Sequence, residues 1–197
     1  MRKYVNITYN SDRNIINLMH VLSNPQSSVE AYRDSFYQLG KSLGSFLNQC
    51  TDGNYGETVV ACASEDADWL AHGVLDSLSL KHVSLAVFWN ERITLDDKNH
   101  IEYSPITKSY IEPVDNCQTL ILVKSIISTS CVVKTQLTRL IGDIKPQIIY
   151  IVSPVMYKDA ASRLEKEFPD SISSKFKFLT FAIDTVRDEQ GRISKFK

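Results

Sequence analysis

The chain has 197 residues, 43% of them hydrophobic, enough for one sizeable core, and the expectation is a single domain over residues 1–197. Twenty-two basic against 23 acidic side chains leave a formal charge of −1, which excludes a global field of the kind that drives nonspecific nucleic-acid binding. No apolar run approaches the ~20 residues that span a bilayer, and the stretch Met1-Arg2-Lys3-Tyr4-Val5-Asn6 is no signal sequence, so a cytoplasmic protein away from membranes is expected.

The first strong helical period runs from Val29 to Leu47, where Val29, Tyr32, Phe36, Leu39, Leu43, Phe46 and Leu47 recur at three- and four-residue steps, with Ser27 and Glu30 as a capping box. Asp52-Gly53-Asn54 reads as a turn, and Val59 to Ala63 as a short buried strand. A helix follows on Leu70, Val74 and Leu78, with Glu65, Asp66 and Asp68 in its first turn. Val83 to Phe88 predicts another strand, and the largely polar stretch around residues 90–117 a hairpin arm. Strands are then predicted at Thr119–Val123, Gln147–Val152 and Phe176–Phe181, alternating with helices at Val132–Ile141 and Ala160–Phe168. This alternation predicts an α/β fold, a parallel sheet flanked by helices on both faces. Ligands of such sheets bind at the turns after the strands, here Ser64 to Asp68, Lys124 to Cys131 and Ser153 to Asp159.

Cys50, Cys62, Cys117 and Cys131 are widely spaced without a CxxC pair, which fits a reducing compartment, and His20, His72, His82 and His100 lack metal-ligand spacing.

Several segments together resemble the uracil phosphoribosyltransferases in order and spacing. Tyr32-Arg33 with Leu39-Gly40-Lys41-Ser42-Leu43 is similar to that family's first helix, His72-Gly73-Val74-Leu75-Asp76 to the helix after its pyrophosphate loop, and Phe88-Trp89-Asn90-Glu91 to its next strand end. The most specific similarity is Ala161 to Asp170, followed by Ala182-Ile183-Asp184 and by Asp188-Glu189-Gln190-Gly191-Arg192-Ile193. The resemblance covers most of the chain and implies a phosphoribosyltransferase-like fold and dimerisation.

The family's functional motifs depart at four places. Its phosphoribosyl-diphosphate loop has an acid at the strand end and then Ala-Thr-Gly-Gly, because close phosphate approach needs bare backbone at a helix start. Here the segment reads Lys124-Ser125-Ile126-Ile127-Ser128-Thr129-Ser130-Cys131. The threonine persists as Thr129, Lys124 replaces the acid that contacts ribose hydroxyls, and Ser130 and Cys131 replace the glycines. A lysine accepts no hydrogen bonds from those hydroxyls. The pyrophosphate loop, Leu-Arg-Ala-Gly in the family, reads Ser64-Glu65-Asp66-Ala67-Asp68, and each close carboxylate repels a diphosphate by on the order of 1 kcal/mol. Trp89 stands where the family commonly has arginine, and after Arg192-Ile193 there is no Gly-Leu-Gly-Asp-Ala-Gly segment to close over uracil.

Each departure has a bland reading beside the sharp one. Glu65, Asp66 and Asp68 are expected as dipole-favoured acids rather than a metal or acid/base cluster, Ser128-Thr129-Ser130 as a helix cap rather than an anion site, and Cys131 as a packing residue. Trp89 is read as a core or partner contact before a base-stacking one. Lys124 is expected to pair with the Glu65/Asp66 turn, the two charge exchanges compensating each other. The leading expectation is a catalytically degenerate relative acting by binding, as a homodimer or with a related protein, and able to take a phosphate-containing small molecule. An enzyme for an altered substrate and an RNA-binding regulator are the alternatives. The last finds only a faint basic cluster in Lys175, Lys177, Arg192, Lys195 and Lys197. No cofactor is expected; Mg²⁺ would accompany only an active site.

Overall fold

Side chains alternate across the three central strands: Val60, Cys62, Ile121, Val123, Tyr150 and Val152 face one core, and Val59, Ala61, Leu120, Leu122, Ile149 and Ile151 face the other. Two-sided burial of this kind is what a parallel sheet between helical layers imposes. A computed structural model describes residues 2–6, 9–51, 53–79, 82–91, 93–96 and 101–186. Asp52 of the predicted turn, the segment 188–193 and Lys195 and Lys197 lie outside the described residues.

The elements in chain order are β1 (Arg2–Tyr4), α1 (Tyr9–Ser23), α2 (Val29–Thr51), β2 (Thr58–Ala63), α3 (Ser64–Asp66), a π-helical stretch (Ala67–Ala71), α4 (His72–Ser77) and β3 (Val83–Asn90). They continue with β4 (Ile93–Asp96), β5 (Ile101–Tyr103), β6 (Ile106–Ile111), β7 (Thr119–Val123), β8 (Ile126–Ile127), α5 (Cys131–Ile141), β9 (Ile148–Tyr157), α6 (Ala160–Lys166), α7 (Asp170–Ser173) and β10 (Phe176–Asp184). The main sheet has the order β1-β10-β9-β7-β2-β3-β6, with β8 added alongside β9. The run from β10 to β3 is parallel, and β1 and β6 join antiparallel at the two edges.

One face is covered by α1, α2 and α4 through Ile15, Met19, Leu39, Leu43, Leu47, Leu70 and Val74, the other by α5 and α6 through Val133, Leu137, Leu140 and Leu164. The α2 backbone touches those of the π-helical stretch and α4: a Cβ on Gly40 would stand 2.1 Å from the Leu70 carbonyl oxygen, and one on Gly73 2.1 Å from that of Tyr37. These contacts fix the turn after β2, and so the acids on it, against α2. The predicted arm is present, β3 with β6 and β4 with β5 forming successive antiparallel ladders.

Three details differ from the sequence reading. The cap of α2 is Ser28, whose Oγ accepts the Ala31 N–H at 3.1 Å, while the Ser27 hydroxyl donates to the Val21 carbonyl. The third predicted turn, Ser153 to Asp159, is mostly strand, since β9 runs on to Tyr157. Pro154, which lacks an N–H, is tolerated there because β9 changes neighbour around it: the β7 pairing ends at Val152 and the β8 pairing begins at Val155. Helix α1 and strand β1 add the third difference; β1 is held to β10 by a two-pronged Arg2–Asp184 pair, at 2.7 and 2.6 Å.

Candidate functional site

Strands β2 and β7 are parallel neighbours, Cys62 opposite Val123, so the turns that follow them open side by side at the same edge. The first turn carries Ser64, Glu65 and Asp66 in α3, and the second carries Lys124. The Lys124 Nζ donates to Asp66 Oδ2 at 2.6 Å and to Glu65 Oε1 at 3.1 Å, and lies 3.5 Å from the Ser125 hydroxyl. The Ser125 N–H donates to the second Asp66 oxygen at 3.3 Å. Asp66 and Lys124 are buried, at 3% and 9% exposure, whereas Glu65 reaches solvent. Asp68 stays exposed one turn further on. The expected charge pairing across the turns is present, and it is a buried one.

Burial pulls the Lys124 ammonium down, but the charges and hydrogen bonds of Asp66 and Glu65 outweigh it and hold the group above its ordinary 10.5. Burial pushes the Asp66 carboxyl above its ordinary 3.8, against the pull of Lys124 and Ser125. The two tendencies oppose each other, and with both carboxylate oxygens occupied the ionised pair is the form that satisfies all the donors at neutral pH. The same acids act on Cys62, below them on β2: burial first, then the negative charges, push its thiol up to about 12. A divalent cation at this place would have to displace an ammonium at 2.6 Å from a carboxylate with no spare oxygen. Among the described residues no group of three His, Cys, Asp or Glu side chains is placed to hold a metal.

The loop after Lys124 is tied down as well. Ile126 and Ile127 form β8 against Val155 and Met156, and the Ser153 hydroxyl, which donates to the Val155 carbonyl at 2.7 Å, also lies 3.3 Å from the Ser125 carbonyl. Ser128 and Thr129 follow at intermediate burial. Ser130, the residue before α5, lies in the left-handed region at φ 63°, ψ −6°. This is a conformation that glycine adopts at no steric cost, so the serine keeps a glycine-like backbone at a cost of about 1–2 kcal/mol. Ser130 itself does not cap the helix by its side chain: its hydroxyl donates to the Thr129 carbonyl at 2.6 Å. Replacing Ser130 by valine, which tolerates positive φ still less, is expected to lower stability by about 2 kcal/mol, whereas Ser130→Gly leaves it equal or higher; urea unfolding of the two variants checks this.

The chain is similar in fold to the AQ2163 protein from Aquifex aeolicus. That likeness has a TM-score of 0.74 at 13% identity and covers 95% of this chain and 90% of that one. A hypoxanthine-guanine phosphoribosyltransferase from Bacillus anthracis is similar at TM-score 0.49 and 12% identity, over 65% of this chain and 72% of its own. An adenine phosphoribosyltransferase is similar at 0.49 and 11%, over 83% and 84%. No protein-family model and no curated protein matches the chain. At these identities the similarity concerns the fold and leaves the substrate open.

The remaining candidates separate. Trp89 lies 38% exposed at the end of β3, its ring 5.1 Å below the Lys108 ammonium of β6. Cys131, the first residue of α5, borders a cavity of about 660 Å³ between the arm and that helix, shared with Tyr103, Ser130 and Lys134. A second cavity, of about 530 Å³, lies against the ion pair, lined by Glu65, Asp66, Ser125, Tyr32, Arg33 and Trp69. Here the Arg33 guanidinium sits 5.4 Å over the Trp69 ring. Sequence reading missed this cavity, because Arg33 and Trp69 belong to separate helical stripes and only the close α2–α4 packing joins them. No described helix is long and apolar enough to cross a membrane.

Proposed function

We propose that this chain is a uracil-phosphoribosyltransferase-like protein whose substrate site has been remodelled, and that it works by binding rather than by turnover, as a homodimer or with a related chain, in the cytoplasm. One observation carries the reading: the Lys124–Asp66 pair, at 2.6 Å and buried, occupies the adjoining ends of β2 and β7 where a member of that family would hold ribose and diphosphate. The acid is on the wrong strand for the ribose hydroxyls, and the cation is neutralised before a diphosphate can use it. Side chains also stand at Ser130 and Cys131, where the cradle needs bare backbone.

A second reading, an enzyme for a less charged substrate, is favoured by the cavity beside the pair, where Arg33, Trp69 and Tyr32 offer a cation and aromatic faces. A thermal-shift screen with phosphoribosyl diphosphate, uracil, UMP and GTP in large excess tests the first reading. The binding reading expects an unchanged melting temperature with phosphoribosyl diphosphate, uracil and UMP. A rise with phosphoribosyl diphosphate, which ligation of the folded state produces, contradicts it.

A further inference from the structure

Strand β6 closes one end of the sheet and, among the described residues, pairs on one side only, with β3. Thr107 to Tyr110 are exposed. The Glu112 N–H donates to the Leu85 carbonyl at 2.9 Å, in step with Tyr110 opposite Val87 and Lys108 opposite Trp89. The backbone groups of Lys108, Tyr110 and Glu112 therefore turn toward β3, and by alternation those of Ser109 and Ile111 turn outward, away from the sheet. An open edge of this kind is usually blunted by a proline, a bulge or an outward lysine. From Lys108 to Glu112 there is no proline, and the register shift of the ladder lies beyond Lys108, at Trp89/Asn90. The one lysine is folded over its own Trp89 ring.

We propose that β6 pairs antiparallel with β6 of a second copy of this chain across a two-fold axis at Tyr110, so that the sheet continues from one copy into the other. The segment Lys108-Ser109-Tyr110-Ile111-Glu112 is self-complementary under that operation. Ser109 and the partner's Ile111 exchange backbone hydrogen bonds, and symmetry repeats the exchange. Lys108 comes opposite the partner's Glu112, on the same face of the strand, and Tyr110 opposite its own copy. An axis at Ser109 would also match the outward backbone groups, but it would set Lys108 against tyrosine and Glu112 against isoleucine; the charges select Tyr110. The pairing covers Tyr110, otherwise 50% exposed, beside Trp89 on the same face. It deepens the self-association part of the proposed function but rests on the edge alone, so it stands or falls separately from the reading of the ion pair.

Sedimentation equilibrium of the full chain tests it with two variants. Wild type is expected to be a dimer at tens of micromolar. Ser109→Pro removes an outward N–H that, among the described residues, bonds nothing, so it should give a monomer with unchanged far-ultraviolet circular dichroism. Lys108→Glu sets like charges across the axis and should weaken dimerisation on the order of tenfold or more, with part of the loss recovered at high salt. If Ser109→Pro disturbs the fold, the Lys108→Glu dissociation constant decides alone. A wild type that stays monomeric at about 100 μM, or a dimer whose dissociation constant Lys108→Glu leaves unchanged, overturns the proposal.

Discussion

Replacing Lys124 by methionine is expected to lower the unfolding free energy by about 3–5 kcal/mol, because it leaves the Asp66 carboxylate buried with its strongest partner gone. The size of the effect follows from burial. An exposed ion pair is worth about 0.2–1 kcal/mol, but Lys124 and Asp66 are both nearly inaccessible to water and only Glu65 of the three reaches solvent. Substituting both partners, Lys124→Met with Asp66→Leu, should recover most of the loss, since a packed apolar pair carries no desolvation cost. The pH dependence has a definite sign. Lys124 is held above its ordinary 10.5 in the folded state, so its contribution is full below that pH and declines as pH rises through the folded value. The gap between wild type and Lys124→Met should therefore be constant from neutral pH to about 10 and narrow above it. Urea unfolding at several pH values measures this, and a single variant within about 1 kcal/mol of wild type would mean that the pair is no more than a surface contact.

How much of this was legible in the sequence depends on what each segment had to signal. The central strands and α2 stood out because two-sided burial gives unbroken apolar runs and one-sided burial a stripe of period 3.6. The meeting of Lys124 with Asp66 was legible too, since parallel strands bring their following turns to one edge and the charges are of opposite sign. Strand β1, three residues long, is too short to carry a period; its place is set by Arg2 meeting Asp184, far along the chain. The stripe Ile15, Leu18, Met19 and Leu22 of α1 was weaker than that of α2 and went unread. A turn was expected from Ser153, and the exchange of β7 for β8 beside Pro154 is what lets the strand continue. Nor does composition tell that Ser130 keeps a glycine-like φ; that depends on the entry into α5.

The second large effect concerns activity. A phosphoribosyl transfer gains its rate from holding the diphosphate and the base in line and from stabilising the charge that leaves. On the reading proposed above, the ends of β2 and β7 present a neutralised lysine and a carboxylate at that position, and the loop after Lys124 is fastened to β9 through β8. Restoring one element does not rebuild the set. Lys124→Asp returns an acid to the strand end, but it adds a like charge beside Asp66 and leaves Ser130 and Cys131 in place, so it should be destabilised and still fail to bind phosphoribosyl diphosphate in a calorimetric titration.

The most direct test is the reaction itself, with purified chain, uracil, phosphoribosyl diphosphate and Mg²⁺, followed by chromatographic separation of UMP. The proposed remodelling of the site predicts no UMP above the enzyme-free control; formation of UMP at about 1 s⁻¹ or faster, the range of ordinary enzymes, would contradict it.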